Sequence, residues 1–366
     1  MTTRPQDLRA SSYGLTLRWL TPFRWAPRAL LRAGLDAGRA WAIAPLRYRF
    51  AVYAQDERGA WRVVRQRRFR LFEVLKVKIY AATSVFAASA KLGIARSVAI
   101  PCYPEEGLAA NLLHVIEVVR RLRPDASVYV DWVLRGTEVG FRYGGVGDDV
   151  WSRLFRPLGA PSRDTAHRAA TRVDFAFWGT GKDHLQGKRL QHHRDLYHRV
   201  VTSRLEVTNE RILDAVRQTR ERFLDGRFCI GVHRRVGNAL VADLQSKGYV
   251  PSIEALINTV GSMLTVLTGQ GISDHAVFLA TDDAEAVAAF RSAFGATLVI
   301  REDVQRTTFD APEVHFRDWG SLSITDAEDV LIDAILLSHC NVLVHASSSV
   351  STVASIMNPS LALVRI

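Results

Sequence analysis

The second half of the chain alternates short apolar runs with amphipathic stretches, and no other feature restricts the fold as strongly. Five runs have the length of buried strands, and five stretches have the length and periodicity of helices. Strands separated by helices favour a parallel sheet, because a parallel pair needs a long crossover connection. This half is therefore predicted to be Rossmann-like. The predicted strands are 228–232, 277–281, 298–300, 342–345 and 361–366, and the predicted helices are 207–225, 252–267, 284–294, 326–338 and 350–357.

The residues before this half contain a second, shorter alternation. Strand 97–101, helix 109–122 and strand 128–132 form a predicted βαβ unit, and residues 173–178 are typical of a third strand. A chain of 366 residues is also longer than one ordinary core. We therefore expect an α/β protein with two Rossmann-like domains facing a cleft. The expected divisions are an N-terminal extension over 1–70, a first domain over 71–205 and a second over 206–366, with a hinge in 195–226.

The predicted helix 207–225 leads directly into the first strand of the second domain. Thr208 or Asn209 is expected to cap it, since both side chains accept hydrogen bonds from free backbone N–H groups. Its amphipathic pattern places Ile212, Val216 and Phe223 on the side that faces the core.

Positive charge is concentrated at the N-terminus. Residues 1–70 contain 15 Arg and no Lys against 4 acidic residues, a net charge of +11 that equals the net charge of the whole chain. Residues 71–366 are therefore close to neutral, and the basic character belongs to the extension rather than to the predicted domains. Residues 61–70 alternate enough to form an edge strand with its cations outward.

Residues 13–43 interleave Arg with Leu, Trp and Phe, a pattern typical of segments that lie on an anionic membrane surface. Packing against the protein body, an Arg-rich targeting peptide and a nucleic-acid contact are the alternatives for the same pattern. No apolar run is long enough to predict a transmembrane helix, and no secretory signal is evident. The three isolated cysteines favour a reducing compartment. We expect a cytoplasmic protein, peripheral on the inner face of the plasma membrane.

Polar side chains follow three of the predicted strands at their carboxyl ends. His233, Arg234 and Arg235 end the first, ahead of a glycine turn. Ligands of open α/β sheets bind outside the carboxyl ends of the strands, so these cations indicate an anion site. Exposed arginines that only contact solvent are the alternative. The further residues at this edge are Thr281, Asp282 and Asp283 after the second strand, and Ser347, Ser348 and Ser349 after the fourth.

The serines stand where a predicted helix begins, a position that binds phosphate through backbone N–H groups and the helix dipole. Ordinary helix capping is the alternative interpretation. Asp333 lies in the apolar stretch 330–337, so its carboxylate is expected to be buried with a hydrogen-bond donor as partner. That donor is either a ligand, such as a guanine ring, or a protein group.

Three sequence blocks in this order resemble the α1,6-fucosyltransferase family, including its rhizobial nodulation members. The blocks are HxRxxN (His233, Arg235, Asn238), FLATDD (residues 278–283) and LIDxxLLSxCxxLVxxxSS (residues 331–348). Residues 127–132 (SVYVDW) resemble the same family, and the similarity spans roughly residues 97–358. Arg234 stands where relatives usually have valine, and Asn238 where many have aspartate.

The resemblance implies a GT-B fold and transfer of fucose from GDP-fucose with inversion at the anomeric carbon and without a metal. It implies donor binding by His233, Arg235, Asn238, Asp282, Asp333, Ser347, Ser348 and Ser349. Arg235 corresponds to the arginine on the β-phosphate and Asp333 to the carboxylate on guanine. Asp243 falls where some relatives place the catalytic base.

The expected function is therefore that of a metal-independent glycosyltransferase with GDP-fucose as donor substrate and no cofactor. The sequence is consistent with this, because it contains no DxD element of the kind that holds Mn²⁺ in other transferases. The expected partners are a glycan or lipid-linked saccharide acceptor, as in polysaccharide biosynthesis, and an anionic membrane surface through residues 1–70. A transferase using another nucleotide sugar is one alternative. A nucleic-acid-binding or scaffold protein with a degenerate transferase fold is another, although no nucleic-acid motif supports it.

Overall fold

A computed structural model of the chain describes ten segments of it. They are residues 51–55, 61–66, 86–103, 106–135, 139–159, 171–172, 190–235, 251–306, 322–346 and 348–366. The arginine-rich stretch 13–43 and the predicted strand 173–178 lie outside these segments.

The first described elements form an antiparallel hairpin of β1 (Ala51–Gln55) and β2 (Trp61–Gln66). A β-bulge interrupts the register between Val52 and Tyr53. The strand predicted over residues 61–70 is therefore confirmed for Trp61–Gln66, with the segment just before it as its pairing partner, and residues 67–70 lie outside the described segments.

A parallel sheet of three strands organises the first half of the chain. Its strands are β3 (Ser97–Pro101), β4 (Ser127–Asp131) and β7 (Thr171–Arg172), in the order β4-β3-β7. The helical residues 86–94, α1, precede β3, and α2 (Leu108–Val119) is the crossover between β3 and β4. This confirms the predicted βαβ unit. The short antiparallel pair β5 (Leu134–Arg135) and β6 (Val139–Gly140) and the helix α3 (Val150–Leu154) follow β4.

Two helices connect the halves. They are α4 (Leu190–Arg204) and α5 (Glu210–Thr219), and α5 continues as a π-helical turn over Arg220–Leu224. Of the two expected caps, Asn209 is the one that acts, because its side chain accepts a hydrogen bond from the N–H of Ile212 at 3.1 Å. Ile212 and Val216 are buried as predicted. Phe223, predicted to face inward, is 36 % exposed, because the π turn shifts the helical phase after residue 219.

The second half is a sheet of five parallel strands in the order β10-β9-β8-β11-β12. Numbered from its first strand the order is 3-2-1-4-5, the order of a Rossmann sheet. All five strands and all five helices of the sequence prediction are present, with ends that differ by a few residues. The strands are β8 (Phe228–Arg234), β9 (His275–Thr281), β10 (Leu298–Val299), β11 (Val342–His345) and β12 (Ala362–Arg365); the helices after α5 are α6 (Ile253–Gly269), α7 (Ala284–Phe294), α8 (Ile324–Ser338) and α9 (Ser349–Met357).

The alternation of side chains along β8 separates two hydrophobic clusters. Ile230 and Val232 pack with residues of α6 and α7, whereas Cys229 packs on the opposite face with residues of α8 and α9. The sheet therefore has helices on both faces, as buried parallel sheets do. The cluster on the α8 and α9 side continues to α2 and the first sheet, so helices pack between the two sheets. The structure thus confirms the α/β class and the two Rossmann-like halves.

Candidate functional site

The order of the second sheet defines where a ligand is expected. The chain runs outward from β8 to β9 and β10, then returns to β11 on the other side of β8. The topological switch point therefore lies between the carboxyl ends of β8 and β11. His233 and His345 are in register there, the one near the end of β8 and the other at the end of β11. The three predicted polar clusters thus belong to three adjacent strands, β9, β8 and β11.

Ser348 joins the two sides of the switch point. Its hydroxyl caps α9, since Oγ accepts a hydrogen bond from the N–H of Ser351 at 3.1 Å. The same Oγ lies 3.0 Å from Nδ1 of His233, and Oγ of Ser351 lies 3.1 Å from that nitrogen. The capping interpretation is therefore correct for Ser348, and the cap also holds His233 against the beginning of α9.

The imidazole of His233 is neutral at physiological pH. Burial lowers its pKa to about 3, and the charges of Arg235 and His345 act in the same direction. Two serine hydroxyls lie within hydrogen-bond distance of Nδ1, and each of them can donate to this nitrogen or accept from it. No described residue forms a hydrogen bond with the other ring nitrogen, Nε2.

Arg235 is half-buried just after β8, and its charge acts on groups in both halves of the chain. It contributes to the low pKa of His233, and it opposes the effect of burial, which raises the pKa of Tyr143. Tyr143 lies between β6 and α3 and forms a β-bridge with Leu322, just ahead of α8. The N–H of Gly144 donates to Leu322 O at 3.0 Å. This part of the first half therefore extends to the switch-point region, where Arg235 lies.

Arg234 points away from this site. It is 4 % exposed and forms an ion pair of 2.8 Å between Nε and Oδ2 of Asp283, and Nη1 donates to Pro251 O. Asp283 in turn caps α7, accepting from the N–H of Glu285 at 2.9 Å. The interpretation of Arg234 as an exposed arginine is wrong, because its strand position directs it into the interior. Neither side chain of this pair is available to a ligand.

Asp282 lies half-buried at the carboxyl end of β9, directly before Asp283. Thr281 is buried, and its Oγ1 accepts a hydrogen bond from the N–H of Asp283 at 3.1 Å. Of the three polar residues that end β9, Thr281 and Asp283 thus stabilise the turn into α7, and Asp282 remains the predicted ligand-binding residue of this strand.

Asp333 lies on α8 and has a protein partner. Its Oδ1 accepts a hydrogen bond from Nη1 of Arg301 at 3.3 Å, and its side chain is 17 % exposed. Burial raises the pKa of Asp333 to about 6, although the charge of Arg301 opposes this. The expectation of a mostly buried carboxylate with a donor partner is confirmed, and the donor is a protein group. No described residue donates to Oδ2, which leaves that oxygen for a second donor.

Three predicted site residues, Asn238, Asp243 and Ser347, lie outside the described segments. Ser349 is described, and it is the first residue of α9, 9 % exposed. Among the described residues, no group of three or more His, Cys, Asp and Glu side chains is arranged to hold a metal ion. Within the same segments, no helix has both the length and the apolar character needed to cross a membrane.

Sequence reasoning missed Ser351, His345 and Arg301. The first two had a local signal, since Ser351 is three residues after a predicted cap and His345 ends a predicted strand. Arg301 follows the apolar residues that include β10, as Arg235 follows β8, so the same rule of strand ends applied to it.

No protein-family model matches the chain, and no curated protein matches it. Several solved structures are similar to this chain. NodZ alpha-1,6-fucosyltransferase soaked with GDP-fucose has a TM-score of 0.45 and 16 % identity, covering 72 % of this chain and 93 % of its own. A structure of fucosyltransferase NodZ from Bradyrhizobium has a TM-score of 0.41, also at 16 % identity, with the same two coverages. POFUT1 in complex with GDP-fucose has a TM-score of 0.37 and 12 % identity, covering 74 % of this chain and 98 % of its own.

Proposed function

We propose that the protein is a glycosyltransferase that transfers fucose from GDP-fucose to a glycan or polysaccharide acceptor. The observation that supports this most directly is the contact of His233 with Ser348 and Ser351 at the switch point of a Rossmann sheet. This contact brings a neutral imidazole to the amino end of a helix, and Arg235 follows two residues later. These groups suit a diphosphate, because all of them stabilise negative charge.

The diphosphate occupies the beginning of α9 in this proposal. Backbone N–H groups at Ser348 and Ser349 donate to its oxygens, and the helix dipole favours its charge. Nε2–H of His233 donates from the β8 side, and Arg235 supplies a guanidinium that can bind two oxygens at once. Ser347 and Asn238 complete the phosphate side of the site by resemblance.

The guanine ring occupies the other end of the same sheet edge. Asp333 accepts hydrogen bonds from the ring N1–H and the exocyclic N2–H, and Asp282 follows β9, the strand between β8 and β10. Neighbouring strands lie about 4.8 Å apart, so the edge from β10 to β11 spans roughly 14 Å. A nucleoside diphosphate laid along this edge reaches from the Asp333 side to α9.

Transfer breaks the bond between the anomeric carbon and the β-phosphate oxygen while an acceptor hydroxyl attacks from the opposite face, which inverts the anomeric carbon. The negative charge that develops on GDP is stabilised by Arg235, His233 and the dipole of α9, all fixed before the reaction. These groups supply the stabilisation that a metal gives in other transferases, so the proposed reaction is metal-independent. A carboxylate takes the hydroxyl proton, and Asp243 is the candidate by resemblance.

The test is a calorimetric titration with GDP, UDP and ADP, followed by measurement of GDP release from GDP-fucose with and without EDTA. The proposal predicts binding of GDP in preference to the other two nucleotides. Arg235→Ala is expected to lower GDP affinity about tenfold or more, since a charged hydrogen bond contributes about 1.5–3 kcal/mol. Arg217→Ala is the matched control, because Arg217 forms an exposed pair with Asp214 on α5. Absence of binding to every nucleotide and nucleotide sugar would exclude the proposal.

The proposed location is the cytoplasmic face of the plasma membrane, where residues 1–70 would bind anionic lipid and bring the site to a lipid-linked or surface saccharide. Vesicles with and without anionic lipid distinguish this from a soluble enzyme, if the full chain is compared with a variant that lacks residues 1–70. Salt-dependent DNA or RNA binding by the same residues would favour the nucleic-acid alternative instead.

A further inference from the structure

A linked set of charged side chains lies beside the proposed base site, and nothing in the proposed reaction yet requires it. We propose that Arg301 is a positioning residue, which keeps the Asp333 carboxylate ionised and oriented for guanine. This inference rests on the proposed function, because it assigns the base of the nucleotide to Asp333.

Arg301 is held in place by groups other than Asp333. Its Nη2 donates to Oδ1 of Asp329 at 2.7 Å and to Oδ2 of Asp303 at 2.9 Å, and its Nη1 donates to Asp329 O at 3.3 Å. The side chain of Arg301 is 6 % exposed. Arg306 donates to Arg301 O, which fixes the backbone as well. The guanidinium is therefore positioned independently of the 3.3 Å contact that it makes with Asp333.

The support for Arg301 extends to α5. Oδ1 of Asp329 also accepts from Nη2 of Arg211 at 2.9 Å, and Nη1 of Arg211 donates to Glu328 at 2.9 Å. Two guanidinium groups thus share one oxygen of Asp329. This arrangement resists rotation of the Arg301 guanidinium, because Nη1 and Nη2 each form two hydrogen bonds.

Arg301 meets only one oxygen of Asp333. A carboxylate oxygen has two acceptor sites, so Oδ1 can accept from Arg301 and from a ligand together. Oδ2 accepts no hydrogen bond from the described residues. With Oδ1 fixed by Arg301, the plane of the carboxylate is set, and both oxygens can face the two adjacent donors of guanine.

The electrostatic balance at Asp333 explains why such a cation is needed. Burial and the charge of Asp329 favour the protonated form, whereas Arg301 and, more weakly, Arg306 favour the ionised form, and the resulting pKa is about 6. A protonated carboxyl loses acceptor capacity toward N1–H and N2–H. Without Arg301 the pKa of Asp333 rises further, so that a large fraction of Asp333 is protonated at neutral pH. In this proposal Arg301 therefore keeps Asp333 able to bind the base at neutral pH.

The test is the ratio of GDP affinity to ADP affinity from pH 5.5 to pH 9, by calorimetry on the full chain. ADP and GDP carry the same diphosphate, so the effect of pH on phosphate ionisation cancels in the ratio of affinities. The pH dependence that remains comes from the contacts of the guanine ring. In the unmodified protein the ratio is expected to rise as the pH increases through about 6. In Arg301→Gln the rise is expected at least one pH unit higher, with a loss of about twofold or more in the ratio at pH 7 and recovery toward pH 9.

Two further variants complete the test. Arg291→Gln is the matched control, because it removes a cation of α7 whose ion pair with Glu302 is exposed; it is expected to leave the ratio unchanged. Arg301→Lys keeps the positive charge but loses the planar set of N–H donors of the guanidinium. Its ratio of GDP affinity to ADP affinity at pH 7 is therefore expected to lie between the ratios of the unmodified protein and of Arg301→Gln. If Arg301→Gln does not fold, a wild-type ratio in Arg301→Lys overturns the inference.

The outcomes separate this inference from the proposed function. An unmodified protein that binds neither nucleotide contradicts the function itself. GDP binding that is lost in Asp333→Asn but keeps its pH profile in Arg301→Gln contradicts only the role of Arg301. A GDP to ADP ratio unchanged in Asp333→Asn overturns the assignment of the base site, and with it the role of Arg301.

Discussion

The hydroxyl oxygen of Ser351 lies 3.1 Å from Nδ1 of His233, which joins the first turn of α9 to the central strand of the second sheet. Ser351→Ala removes this contact without removing the cap, because Ser348 is the capping residue. We expect a loss of stability of about 1 kcal/mol and, if His233 binds the diphosphate, a roughly fivefold weaker Kd for GDP. Thermal unfolding and calorimetry measure the two effects.

Ser355→Ala is the matched control for this change. Ser355 lies one turn later on α9, is equally buried and donates to Thr352 O at 2.8 Å, but does not contact His233. It is expected to lower stability by a similar amount while GDP affinity stays constant. Equal losses of GDP affinity in both variants would show that Ser351 acts only through the stability of α9.

The buried pair of Arg234 and Asp283 gives a second prediction. Arg234→Met leaves the Asp283 carboxylate buried without its partner, which is expected to cost about 3–5 kcal/mol in the free energy of unfolding. Adding Asp283→Asn restores part of this loss, because an asparagine keeps the cap of α7 and removes the unpaired charge. Urea unfolding of the two single variants and the double variant measures the coupling. If the double variant loses as much free energy of unfolding as the two single variants together, Arg234 and Asp283 are not coupled and the prediction is wrong.

An exposed pair provides the comparison for that cycle. Arg217 and Asp214 on α5 are both more than half exposed, so Arg217→Met is expected to change the free energy of unfolding by less than about 1 kcal/mol. The contrast between the two arginines therefore measures the effect of burial rather than the loss of an arginine.

Gly231 gives a prediction about packing. A Cβ atom at this position of β8 would lie 2.9 Å from Sγ of Cys340, just after α8, and 3.1 Å from Cδ2 of Leu337, in the last turn of α8. Gly231→Ala is therefore expected to lower the free energy of unfolding by about 1–3 kcal/mol. Gly261→Ala is the control, because a Cβ on this residue of α6 meets no atom within 4 Å. It should stabilise the protein by about 0.5–1 kcal/mol through helix propensity. Equal shifts in the midpoint of urea unfolding would contradict the packing explanation.

The strands and helices could be predicted because their signals are local. The runs that form β8, β9 and β11 are apolar on both faces, as strands buried between two helical layers must be. The turn of Arg234 into the interior could not be predicted in the same way, since its partner Asp283 is 49 residues away. Phe223 was misplaced because a π turn has no clear sequence signature.

For the candidate site, the sequence predicts which strand ends carry its residues but not which of these residues contact each other. The rule that ligands bind at the carboxyl ends of strands predicts His233, Arg235 and Ser348 as site residues from the sequence alone. It could not give the strand order that makes β8 and β11 neighbours, which is what places His233 beside Ser348. The same limitation applied to Asp333, whose partner Arg301 comes from a different strand end.

The last prediction concerns acid unfolding, for which three buried groups act in one direction. Burial lowers the pKa of His114 to about 3 and that of His233 to about 3, from 6.5. For Glu117, burial favours the protonated form, but Arg120, Arg121 and Tyr197 outweigh it and lower the pKa from 4.5 to about 2. In each case the unfolded chain binds its proton first, so acid favours unfolding.

The free energy of unfolding is therefore expected to fall as the pH drops below 6.5 through the two histidines, and more steeply below 4.5 when Glu117 contributes. Each group adds up to about 1.4 kcal/mol per pH unit within its window. Urea unfolding at pH 7.5, 6.5, 5, 4.5, 4 and 3.5 measures the slope in each window. His233→Asn should reduce the slope between pH 6.5 and 5, whereas Glu117→Gln should reduce it only below 4.5. Glu117→Gln should also lower stability at every pH, because Arg120 and Arg121 lose their buried ion pairs with Glu117. A free energy of unfolding that stays constant from pH 7.5 to pH 4 would show that these groups titrate in the folded protein as they do in the unfolded chain.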